Sequence, residues 1–162
     1  MRKSEHLNDW LRDAHAMEMQ AEQLLSTQAR KLDRYPQISA LLREHVDLTR
    51  AQRARLEECL ERRQTSHSVI KDTMGKVTAA AQNASGLFIE DEIVKAILAI
   101  YTFEQMAVAS YAILEAAAKA EGDAVTARQC ALSRAEEQNL CRRLFENMGQ
   151  VAVSYLREQE TA

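Results

Sequence analysis

The sequence predicts an all-α protein, four long amphipathic helices closed into one bundle with a single long crossover. Three observations carry that prediction. Helix breakers are scarce, with four Gly and one Pro in 162 residues. Ala, Leu, Glu, Gln, Arg and Met dominate, and these are the residues that give up least on entering a helix. Apolar residues also recur at spacings of three and four along most of the chain, which is the helical period. A chain of this length suits one domain, 1–162, with a sizeable core.

The first helix can begin at Ser4, with Glu5 and Asp9 in its early turns, and run to about Asp33. Tyr35-Pro36 ends it, because proline disfavours helix in the preceding residue while suiting the first turn of a new one. The second helix then runs from Pro36 to about Arg63. Beyond it the long pattern lapses, and "QTSHSVIKDTMGKVTAAAQNASG" predicts a short fifth helix over about 66–83, ending near Gly86. The third long helix spans about Glu90 to Ala120, its opening acids Glu90, Asp91 and Glu92 suiting the positive end of the helix dipole. "EGDA" at 121–124 is a tight turn. The fourth helix follows from Asp123 to the last residues, with Gly149 expected to kink it or to end its core part.

Connection lengths convert four helices into a topology. The first and last connections are only a few residues long, so each joins an antiparallel hairpin. The middle one is long enough to travel the length of the bundle and leave the second and third helices parallel. Short, long, short is the ferritin-like arrangement with one crossover, as opposed to simple up-down-up-down.

Composition excludes several function classes. A formal net charge of −3 gives no electrostatic footprint for nucleic acid or an anionic membrane. Arg50, Arg53, Arg55, Arg62 and Arg63 alternate with Glu57, Glu58 and Glu61, which predicts a solvated charged face. The three cysteines, Cys59, Cys130 and Cys141, are scattered. Cys130 and Cys141 on one helix would lie roughly 16 Å apart, too far to bridge, so reduced thiols and a cytoplasmic setting are expected. The start "MRKSEHLNDW" has no apolar signal region, and no uncharged stretch reaches the length of a membrane span. Phosphate loops, nucleophile elbows, CxxC pairs and H-E-x-x-H motifs are all missing, and no small-molecule substrate is identifiable.

One feature asks for chemistry. In "AILAIYTFEQMAVASYAIL", residues 96–114, a single acid sits inside an apolar run. At helical period Glu104 shares a face with Ile93, Ile97, Ile100, Ala107, Tyr111 and Ala118. An ionised carboxylate there is costly unless it is paired, hydrogen-bonded or metal-bound. The other helices repeat the pattern. Glu18 falls in the stripe of Leu7, Leu11, Ala14, Ala21 and Leu25. His45, with Gln52, falls in that of Ile38, Leu42, Thr49, Leu56 and Leu60. Glu137 falls in that of Leu140, Leu144, Met148 and Val151. Inward Glu and His side chains from all four helices hold metal pairs in carboxylate bundles, so Glu18, His45, Glu104 and Glu137 are the candidate metal ligands, with iron or another divalent ion as candidate cofactor.

The bland reading uses the same residues. Glu18 and Glu104 would hydrogen-bond His45, Thr49, Gln52 and Tyr111 as a buried polar network that fixes helix register. Met17, Met19, Met74, Met106 and Met148 are expected as core filler, His6 and His67 as solvated side chains, and Cys141 as a structural thiol. "HAME" at 15–18 places His15 one turn from Glu18, a pairing frequent by chance.

Several stretches carry a family resemblance: "LNDWLRDAHAMEMQAEQLL" at 7–25, "SHSVIKDTMGKV" at 66–77, "DEIVK" at 91–95, "YTFEQMAVASY" at 101–111 and "RAEEQNL" at 134–140. Together they resemble the YciE/YciF-type stress proteins of the ferritin-like superfamily, closest to the YciE branch. The resemblance implies a four-helix ferritin-like bundle, a bacterial cytoplasmic setting, a link to stress responses and a homodimer. Val94 and Leu98, apolar and off the core face, are the expected dimer contact.

Three positions depart from the family pattern. Where members carry a stretch like HLEETxxQ, this chain reads "HVDLTRAQ" at 45–52, with Leu48 in place of an acid. Ala107 stands where a second acid often follows Glu104, and Cys141 where one often follows Glu137. A di-iron pair takes about four carboxylates and two histidines. Here the centre offers Glu18, Glu104, Glu137 and His45, with Glu22, Glu136 and His15 on the flanks. The expectation is a stress-associated ferritin-like protein with a degenerate cluster and without a full di-iron centre. The alternative is an iron-carboxylate oxidoreductase or peroxide- and iron-handling protein that uses the four inward residues.

Overall fold

The computed structural model describes residues 3–65 and 93–161. Four helices account for nearly all of them: α1 Lys3–Lys31, α2 Pro36–Arg62, α3 Ile93–Ala120 and α4 Ala124–Glu160. Among the described residues there is no strand. The expected short helix over 66–83, Gly86, His67, Met74 and the acids Glu90, Asp91 and Glu92 lie outside the described residues.

Two tight connections make the hairpins. Pro36 opens α2 at its first turn, and the Ser39 hydroxyl donates to the Ala29 carbonyl of α1 at 2.7 Å, closing the corner. Between α3 and α4 the chain turns through Gly122 at φ +75°, a left-handed position that glycine adopts without Cβ strain. Asp123 then caps α4, accepting from the Thr126 amide at 3.0 Å and its hydroxyl at 2.7 Å. Arg63, just past α2, binds Asn8, Glu121 and Asp123 at 2.5, 2.8 and 3.0 Å. One guanidinium thereby joins the start of α1, the end of α2 and the α3–α4 turn.

Helix α1 packs on α2 and α3, and α4 packs on α3 and α2, leaving α2 and α3 on a diagonal. Two apolar cores fix their directions. One gathers Leu7 and Leu11 of α1, Leu56 and Leu60 of α2, Leu114 and Ala118 of α3, and Ala127 and Cys130 of α4. The other gathers Leu25 and Ala29, Ile38 and Leu42, Ile97 and Ile100, and Leu140 and Leu144. The late part of α2 thus lies level with the late part of α3, so these two helices are parallel. That is the ferritin-like bundle with one crossover that the connection lengths predict.

Three local expectations are corrected. Helix α4 runs unbroken through Gly149. An exposed glycine inside a helix costs only about 1 kcal/mol, and packing by Leu144 and Val151 on either side holds the helix. Met106 is 42% exposed and fills no core, whereas Met17 is buried as expected. Val94 packs against the second core and is only half-buried, so it is no free contact; Leu98 is exposed. Helix α3 is long and apolar enough to cross a membrane by length and composition, yet Ile97, Ile100, Glu104 and Tyr111 all face the bundle interior.

Candidate metal centre

Between the two apolar cores lies a polar layer. Each inward group is placed by its own helix stripe: Glu18 by Ala14, Ala21 and Leu25, His45 by Ile38, Leu41 and Leu42, Glu104 by Ile97, Ile100 and Ala107, Glu137 by Leu140 and Leu144. His45 is 3% exposed and the three glutamates 1% each. Periodicity therefore places all four correctly in the interior.

Three of them converge. His45 Nε2 lies 3.0 Å from Glu137 Oε1, and Glu104 hydrogen-bonds Glu137. One donor atom from each of His45, Glu104 and Glu137 lies within 4.8 Å of the others. Neighbouring ligands of a tetrahedral ion with bonds near 2.1 Å sit about 3.4 Å apart, so donors up to 4.8 Å apart would have to draw in by as much as about 1.4 Å around an ion. Glu18 is not in this group. Its Oε1 accepts from the Tyr111 hydroxyl at 2.5 Å.

Electrostatics at the centre favour protons. Burial pushes the Glu104 carboxyl well above the usual carboxylate range, and the charge of Glu137 and the hydrogen bond Glu104 donates to it add to the rise. Glu18 is raised in the same way, by burial first and then by Glu137, against a weaker opposing pull from the Tyr111 hydrogen bond. Burial and the Glu18 charge raise the Tyr111 phenol in turn. Among the described residues, the buried atoms without a hydrogen-bond partner include Glu104 Oε1, Glu137 Oε2, Thr49 Oγ1 and Gln52 Oε1. Leaving such acceptors unsatisfied costs about 1–3 kcal/mol each, and a bound ion with its water would satisfy them.

The flanking residues are committed elsewhere. Glu22 accepts from Arg50 and Arg53, both at 2.7 Å. Glu136 is gripped by Arg55 through two bonds of 2.7 and 2.8 Å and takes a third from Gln52 at 3.0 Å. His15 faces Glu57 at 2.7 Å. Arg55 and Arg63, expected on a solvated face, are instead largely covered, their side chains 19% and 11% exposed. The sequence signal for them was faint, because an arginine on the boundary of a stripe reads like one beyond it.

Among the described residues these donors make one three-ligand group. His45, Glu104 and Glu137 supply a nitrogen and carboxylate oxygens in one place. Leu48 is half-buried and Ala107 and Cys141 are buried, and Glu22 and Glu136 are held by arginines.

The fold recurs in solved structures. A protein from Xanthomonas campestris pv. campestris matches with a TM-score of 0.82 and 28% identity, over 98% of this chain and 99% of that one. The Escherichia coli stress protein YciF matches with a TM-score of 0.73 and 18% identity, over 91% and 95% of the respective chains, a likeness of fold. The family described as "Domain of unknown function (DUF892)" matches residues 2–157, nearly the whole chain, and the chain belongs to that family.

Proposed function

We propose that this chain is a stress-associated ferritin-like protein whose interior holds half of a di-metal centre, a site for one divalent ion at His45, Glu104 and Glu137. The observation that carries this reading is the convergence of those three buried donors beside unpartnered Glu104 Oε1 and Glu137 Oε2. The stress role rests on the fold shared with the protein named as the E. coli stress protein YciF and on the sequence resemblance. Assignment to the YciE branch and to a bacterial cytoplasm rests on that resemblance alone. Without metal the cluster is a hydrogen-bonded layer that fixes helix register, with Glu18 and Glu104 kept neutral by protons.

Anaerobic Fe(II) titration of metal-free protein tests the site. One ion per chain is expected, and Glu104→Gln should abolish it, because an amide is a poor ligand. Two ions per chain would overturn the one-ion reading in favour of the alternative, an iron-carboxylate oxidoreductase. No binding would leave only the structural role.

The same proposal includes a homodimer through the outer face of α3, where Leu98, Met106 and Ile113 are exposed. From Ala96 to Leu114 the only charged side chain on that helix is Glu104, which points inward. Sedimentation showing monomer alone at tens of micromolar would refute it.

A further inference from the structure

A buried site needs a way in, and three seams of the bundle differ. On the α1–α2 side, Glu22 with Arg50 and Arg53 bridges the helices. The α2–α4 seam beside His45 leaves only about 10 Å³ between Leu41, His45, Leu48 and Leu140, room for one water at most. Arg143 and Glu44 span that seam at 3.0 Å. The α3–α4 seam is roomy by comparison. It opens into a groove of about 380 Å³ lined by Tyr101, Gln105 and Val108 of α3 and by Cys141, Arg142 and Phe145 of α4.

The groove lies level with the cluster. Tyr101, Gln105 and Val108 stand three residues before, one after and four after Glu104, and Cys141 stands one turn after Glu137. Cys141 belongs to both places. It lines the groove, and its thiol lies close enough to the Glu104 and Glu137 carboxyls for their charges to add to the effect of burial in pushing it up to about 12. Glu104 Oε1 and Glu137 Oε2 are buried without a hydrogen-bond partner among the described residues. The one cation on the groove wall, Arg142, is drawn off by Glu146 at 2.8 Å and Asn139 at 2.9 Å. What remains is neutral: a phenol bonded to the Gln105 amide at 3.0 Å, an aromatic ring and a thiol.

We propose that the α3–α4 groove is the route by which a divalent cation reaches His45, Glu104 and Glu137, with Cys141 as the last side chain it passes. This rests on the one-ion reading of the centre.

Cobalt(II) alone is the probe, followed by its visible absorption as it enters metal-free protein. Val108→Trp, which fills the groove and replaces none of the three ligands, should slow uptake at least tenfold and leave the final stoichiometry unchanged. Cys141→Ser should fill within about threefold of the parent rate. An unchanged rate in Val108→Trp would overturn the route while leaving the site intact. Failure of the parent protein to bind cobalt would overturn the site and the route together. Should Val108→Trp not fold, the parent can be treated with methyl methanethiosulfonate. Cys141 is then expected to react before Cys59 and Cys130, and the labelled protein to take up cobalt at least tenfold more slowly. Equal protection of all three thiols, or an undiminished rate after labelling, would overturn the proposal.

Discussion

At the rim of the polar layer Glu136 lies in the fork of Arg55, and Glu22 between Arg50 and Arg53. At its centre Glu104 lies against another carboxyl, and Glu18 against a phenol. The same residue type is therefore neutralised in two ways within one cross-section. Near the surface a guanidinium can stay partly hydrated while it pairs, so a charged acid is stable there. In the dry centre a pair of full charges costs several kcal/mol to desolvate, and protons, or a single ion, do the work instead. The pKa directions follow: Glu22 is lowered, chiefly by its bond from Arg50, whereas Glu104 and Glu18 are raised, chiefly by burial.

The comparison can be broken at the rim first. Arg55→Met removes both bonds to Glu136 and leaves a mostly covered carboxylate facing the layer. A loss of about 3 kcal/mol is expected in urea unfolding, and a loss under about 0.5 kcal/mol would mean that water replaces the arginine. At the centre, Glu104→Leu leaves Glu137 with one partner fewer and should cost about 2 kcal/mol.

Acid sharpens the contrast, because the two groups have opposite signs. A lowered acid such as Glu22, or Asp123 at about 2, adds stability that is present above its unfolded pKa and lost as pH falls through the folded value. For Asp123, burial alone would raise the pKa, but bonds from Thr126 and Arg63 outweigh it. A raised acid such as Glu18 does the reverse. Folding takes up its proton, so the protein loses stability as pH climbs from the usual carboxylate range through the raised value. Glu18→Gln should therefore match the parent near the usual carboxylate range and gain on it as pH rises above that range. A difference that is flat with pH would show that Glu18 is not protonated in the fold. The smallest effect belongs to the exposed pair of Arg142 and Glu146, where Arg142→Ala should change stability by no more than about 0.5 kcal/mol.

How much of this was legible in the sequence depends on the kind of information needed. Helix faces follow from periodicity, and connection lengths gave the parallel α2 and α3, because few topologies satisfy short, long, short. The inward positions of Glu18, His45, Glu104 and Glu137 were legible for the same reason. Which of them meet was not. Glu18 faces the layer like the others, but Tyr111 reaches it across the bundle, and a contact between residues so far apart in sequence leaves no periodic trace. Arg55 and Arg63 have the sequence pattern of surface charge, because a long side chain can start at the edge of a helix stripe and end inside. Gly149 was overread, since one glycine cannot stop a helix that tertiary packing holds on both sides.

Glu104→Gln tests the central claim most directly, with unfolding free energy measured at pH 7 without metal and again after anaerobic iron addition. If Glu104 is a neutral hydrogen-bond donor in the metal-free protein, the amide substitutes for it with less than about 1 kcal/mol lost. After iron addition only the parent should gain stability, by about 2.7 kcal/mol at a hundredfold excess over Kd. A loss of several kcal/mol in the metal-free comparison would contradict the account, because it would show that the fold depends on a charged Glu104.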